Sequence, residues 1–209
     1  MRAIRQFGFW LATVLLLITA ATAWDRDVTV TVLPIRDEQQ VYEFIAEFAN
    51  NGPANLQFGY LANVAGLSSV FNSTTTKDET TALFTIVVTA NTSQAVSHGA
   101  FKITDRTGTC TIYLNNGPSD FSNPASFSQG TPIQVSNYQQ TVVVNTLTNT
   151  FVSTNTHTIT GLKTFALDGV NYRLGWLGKS YRSTYSGAIG TNEPPIVTGW
   201  FAGTAVGMR

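Results

Sequence analysis

The chain has 209 residues, 43% of them apolar and only 11% charged, and its 12 basic and 12 acidic side chains cancel. Average globular chains carry about 25% charged residues, so no pole of charge exists here to draw the protein to nucleic acid or to an anionic surface. Low hydrophobicity and high net charge, the compositional mark of disorder, are both missing. Collagen and coiled-coil periods are absent as well.

The first segment reads as an address. Arg2 and Arg5 precede an apolar run from Phe7 to Ile18, and Ala20-Ala21-Thr22-Ala23 follows. A basic start, an apolar middle and a small-x-small end make a secretory signal. Residues 1–23 are therefore expected to be a signal peptide cut after Ala23, and residues 24–209 a single all-β domain. The expected location is secreted or periplasmic, with no stable membrane span after cleavage, since a helical span needs about 20 apolar residues. Export implies an oxidising compartment, yet Cys110 is the only cysteine, so no internal disulfide can form. The alternation Cys110, Ile112, Leu114 puts that thiol on an apolar face, as a small buried hydrophobe. Asn72-Ser73-Thr74 and Asn91-Thr92-Ser93 fit the N-glycosylation pattern, so Asn72 and Asn91 are acceptor sites if the source is eukaryotic.

The rest reads as strands. Val28, Val30 and Val32 alternate with Thr29 and Thr31. Tyr42, Phe44, Ala46 and Phe48 alternate with Glu43, Ile45 and Glu47. Further β-rich runs cover 56–61, 83–90, 100–104, 109–114, 134–144, 150–159, 163–167, 170–177, 181–189 and 196–205. Period-two patterning with β-branched and aromatic residues signals half-buried strands. Turn residues separate them at Asn50 to Pro53, Asp105 to Gly108 and Asn115 to Pro118. Asp168-Gly169 is the sharpest, a type I′ hairpin signal between two apolar runs. Residues 62–71 read as a short helix or a loop, and 119–130 as a structured surface loop. About ten short antiparallel strands with tight turns predict a single β-barrel or β-sandwich.

One strand face between Phe151 and Ile159 carries Ser153, Asn155 and His157; the other carries Val152, Thr154, Thr156 and Thr158. A threonine row is the usual solvated side of a pleat. His157 and His98 read as surface histidines. With one cysteine they do not complete a closed zinc site, which takes four ligands, and no metal is expected. No P-loop, dinucleotide fingerprint or G-x-S-x-G elbow occurs, and no cofactor is expected.

Glu43 and Glu47 share a strand face. Four residues of strand span about 13 Å, beyond the roughly 5 to 9.5 Å of a glycosidase pair. They read as a solvated face. The sharper alternative has that face looking into a barrel, where apolar walls would raise a carboxyl pKa and fit Glu43 or Glu47 for acid–base work. Tyr172, Arg173 and Trp176, just after the Asp168-Gly169 turn, form a candidate binding group for a glycan or a phenolic molecule.

The runs Asp120 to Phe127, Gly130 to Ile133 and Phe165 to Leu174 resemble segments of uncharacterised exported all-β proteins of bacteria. In length and strand count the chain is similar to the small barrels of dirigent proteins and allene oxide cyclases. That likeness implies an apolar barrel with few polar groups. Two functional expectations follow. The first is an exported, non-enzymatic β protein acting by surface binding or as a structural component. The alternative is a barrel holding a small apolar molecule, as a binding protein or as a cofactor-free cyclase or isomerase. A closed barrel with Glu, Tyr and Arg inside would favour the second; a sandwich with a dry aliphatic core would favour the first.

Overall fold

The computed structural model describes residues 29–33, 40–193 and 195–207. The signal segment, Trp24 and Val28 lie outside the described residues.

Eleven strands follow in chain order: β1 Val30–Leu33, β2 Gln40–Asn51, β3 Ala54–Val64, β4 Phe84–His98, β5 Phe101–Leu114, β6 Thr131–Asn145, β7 Thr150–Leu162, β8 Phe165–Leu167, β9 Val170–Leu174, β10 Ser180–Glu193 and β11 Ile196–Gly207. Eight of them, β2 to β7 with β10 and β11, close into an antiparallel barrel in which β11 pairs β2. Closure removes the free sheet edges that a sandwich would leave. Of the two architectures that the alternation allowed, the protein adopts the barrel.

The remaining strands β1, β9 and β8 form a small sheet. Its Leu33, Phe165 and Leu174 are buried in the common core. Gln134, near the start of β6, donates to the Leu174 carbonyl at 2.8 Å, and Phe165 meets Phe84 edge-on at 5.5 Å. The small sheet thus shuts one end of the barrel. At the tip of the β8–β9 hairpin, Asp168 and Gly169 take φ of 51° and 77°, the positive values of the expected type I′ turn.

Two local expectations need correction. Asp105 to Gly108 is not a turn: β5 runs through it, and the four residues pair with both β4 and β6. The polar cluster Asp-Arg-Thr-Gly imitates turn chemistry, but Gly108 is needed because β4 passes too close for a side chain, with Ala90 Cα 2.6 Å from where a Cβ would stand. Residues 62–64 belong to β3, and the chain to Phe71 is turns and bends. The 119–130 loop carries a short 3-10 helix, Pro124–Ser128. It lays Phe127 and Phe121 over the outward ring of Phe58, at 5.5 and 6.1 Å. That second aromatic layer explains why β3 buries both its faces.

Elsewhere the barrel wall alternates. Threonine recurs at the outward positions, as in the row Thr141, Thr154, Thr184, Thr204 across β6, β7, β10 and β11. One outward row differs. Ile45, Ala202, Ser186, Val152, Val143, Ile103 and Val96 stand side by side round seven strands, and Val152 is 57% exposed.

Candidate functional site in the barrel interior

The interior is aromatic at its closed end and polar through its middle. Tyr42, Phe44, Ala46 and Phe48 of β2 face inward and are buried. Their neighbours Glu43, Ile45 and Glu47 face outward. The inward placement of the Glu face is therefore not found, and the strand gives the interior no acid or base. Glu47 stands beside the outward Trp200 and Phe58. Burial there, then the charge of Glu79, pushes its carboxyl above the ordinary value.

Most of the polar groups inside form one connected chain, while Tyr181 donates to Gln134 apart from it and the Tyr42 hydroxyl and His157 Nδ1 are buried without a partner. Arg106 donates from a terminal nitrogen to Gln140 Oε1 at 2.9 Å. Gln140 Nε2 donates to the Tyr185 hydroxyl and to Ser153 Oγ. The Tyr185 hydroxyl donates to Gln57 Oε1 at 3.1 Å, and Gln57 Nε2 donates to Asn55 Oδ1 and to the Tyr138 hydroxyl. Tyr138 donates to Asn155 Oδ1 at 2.8 Å, and Asn155 Nδ2 reaches Ser183 Oγ at 3.0 Å. His157 Nε2 ends the chain 2.9 Å from that same oxygen. Partnering of this kind offsets most of the cost of burying polar groups.

His157 is not a surface histidine. It is 2% exposed, stacked on Tyr181 at 4.4 Å and beside Tyr138 at 5.1 Å. Its charged form would lose its hydration with no carboxylate to replace it, so burial pushes its pKa down to about 3. Burial likewise pushes the Tyr42, Tyr138 and Tyr181 hydroxyls well up. Cys110, buried on the next inward row, is pushed up to about 12, so its thiol is unreactive.

Space opens toward the end away from the small sheet. An inner cavity of about 50 Å³ lies among Phe48, Gln57, Arg106, Gln140, Phe151 and Tyr185. Above it an outer basin of about 510 Å³ spreads between the ends of the strands. The two share Asn50, Arg106, Val144, Ile189 and Val197, so Arg106 stands at their junction. A smaller space of about 20 Å³, room for one water, lies deeper, against Tyr138 and His157.

Arg106 is half-buried, and desolvation draws its guanidinium below its ordinary value, against the opposing pull of Tyr185 and Tyr138. It remains a cation at neutral pH. Its acceptors are two neutral amides, Gln140 and, at 3.4 Å, Asn50; its Nε is buried without a partner.

The residues singled out after the hairpin turn lie elsewhere. Tyr172 stacks on Phe165 at 5.9 Å, and the Arg173 guanidinium sits 4.7 Å over the Trp176 ring. This group is on the small sheet at the closed end, away from the basin. Asn72 and Asn91 are both exposed. Of the interior residues that matter most, His157 reads in the sequence as a surface histidine, Arg106 as part of a turn, and Gln140 as one more position of a β-rich run. The signal was Asn155 and His157 sharing a strand face with Phe151 and Ile159.

The chain matches no protein-family model, no curated protein and no solved structure.

Proposed function

We propose that the protein binds a small, mainly apolar molecule in the open end of its barrel. The observation that carries this reading is the outer basin of about 510 Å³, continuous at five shared residues with the inner cavity. Its size falls in the range of about 300 to 1,000 Å³ typical of ligand sites. Val144, Ile189 and Val197 supply apolar wall, and Phe48, Phe151 and Phe201 line the space beneath. Binding rather than turnover is favoured by what faces inward: none of the described interior side chains is a carboxylate, and His157 is sealed behind Tyr138 and Tyr181. Titration of the ¹⁵N-labelled chain with 1-octanol tests this. Shifts should concentrate at Val144, Phe151, Ile189 and Val197; shifts absent there, or confined to the outside of the barrel, would refute it.

A second reading, surface binding through the outer sheet, is favoured by the apolar outward row of Ile45, Val152, Val143, Ile103 and Val96, each at least 40% exposed. Exposed apolar strips of this continuity mark contact surfaces. Replacing Val152 and Val143 by Lys should then abolish association while leaving the octanol response intact.

A further inference from the structure

The outer basin sets cationic and apolar side chains next to one another. Along β5 the inward positions Lys102, Thr104 and Arg106 follow one another at the mouth. Val144 pairs with Lys102 from the neighbouring strand β6, and Ile189 and Val197 reach the basin from β10 and β11. Lys102 and Arg106 are both cations, and among the described residues no acidic side chain lines the basin. In a chain whose charges cancel overall, this one cavity carries two uncompensated positive charges. The nearest carboxylate in sequence, Asp105, points outward and accepts from Thr141 Oγ1 at 2.7 Å.

Arg106 is the sharper of the two. A guanidinium has five N–H donors, and only two contacts engage it, one of them at 3.4 Å. Neutral amides hold it in place without neutralising it. A half-buried cation left this way is partly stripped of water with no counter-charge beside it, which costs stability. Its retention at the seam between cavity and basin has a simple purpose if a ligand brings the missing charge.

We infer that the ligand of this basin is a small amphiphile with a carboxylate head, held by Arg106 with Lys102 above it and its apolar body against Val144, Ile189 and Val197. This rests on the binding role proposed above and names the class of molecule. The planar fork of an arginine matches a carboxylate in two parallel hydrogen bonds. The inner cavity of about 50 Å³ beside it takes a head of that size rather than a larger polyanion. Lys102, exposed at the rim, supplies a second positive charge where the ligand enters.

Matched probes separate this inference from the reading beneath it. Octanoate, 1-octanol and octylammonium are titrated by calorimetry into the wild-type chain and into Arg106→Gln and Arg106→Lys at pH 7.4. Octanoate should bind wild type at least tenfold tighter than octanol, and octylammonium should bind weakest. Arg106→Gln should remove the preference for octanoate over octanol, and Arg106→Lys should keep part of it. In wild type, octanoate but not octanol should shift the Arg106 side-chain Nε resonance, a readout that stands if the Gln variant does not fold. Equal binding of octanoate and octanol, unmoved at Arg106, would overturn the carboxylate and leave the apolar site standing. No binding by either would overturn both.

Discussion

His157 offers a way to test the interior through acid stability. The imidazole is 2% exposed, faces Tyr138, Tyr181 and Ser183, and has a pKa near 3 in the folded protein. In the unfolded chain it titrates near the ordinary value of about 6.5. Between those values the unfolded state holds a proton that the folded state refuses. Stability is therefore complete above pH 6.5 and falls as the pH drops toward 3. Each pH unit inside that window costs about 1.4 kcal/mol, so cooling of stability from pH 6.5 to 4.5 amounts to roughly 2 to 3 kcal/mol from this one group. For a domain of this size that is about 5 to 10 °C in Tm. Carboxylates titrate in the same window, so the comparison is with His157→Gln, which keeps a neutral hydrogen-bonding side chain beside Ser183. Urea unfolding at pH 7.5, 6.5, 5.5 and 4.5 gives the two slopes. The wild-type slope should exceed that of the variant by about 1.4 kcal/mol per pH unit below 6. Parallel curves would mean that His157 reaches solvent or meets a carboxylate in the folded state, and would contradict the closed polar interior.

Further outcomes follow from the same geometry. Cys110 should resist thiol reagents in the native protein and react only after unfolding; rapid labelling of folded material would contradict its burial. Gly169→Val should destabilise by about 1 kcal/mol or more, because a β-branched residue resists the φ of 77° at the β8–β9 tip, and an unchanged melting curve would refute the turn. Gly187→Ala should cost about 1 to 3 kcal/mol through overpacking: the added Cβ would stand 2.6 Å from Phe151 Cζ and 2.7 Å from Phe201 Cβ, at the base of the basin. A variant as stable as wild type would show that those rings are not seated there.

Much of the architecture was legible in the residues. Alternation in Tyr42 to Phe48 named both the buried and the outward face of β2, and Asp168-Gly169 named its hairpin to the residue. Whether the strands close into a barrel was not legible, because closure depends on β11 pairing with β2 across the length of the chain, and period-two patterning is the same in a barrel and a sandwich. The site was hidden for a different reason. Gln140, Asn155 and His157 are residue types that favour solvent, and only the network that joins them makes their burial tolerable. Arg106 sat inside Asp-Arg-Thr-Gly, whose composition signals a turn, while β4 and β6 hold it as mid-strand. Tertiary pairing there overrides local propensity.

The most direct test of the barrel as a binding site is isotope-filtered NOE spectroscopy of the chain with bound octanoate. Contacts from the alkyl chain to the methyls of Val144, Ile189 and Val197, with none to those of Ile45, Val143 or Val152, are the predicted result. Contacts to the outward methyls in place of the inward ones would put the ligand on the surface of the barrel and contradict the proposal.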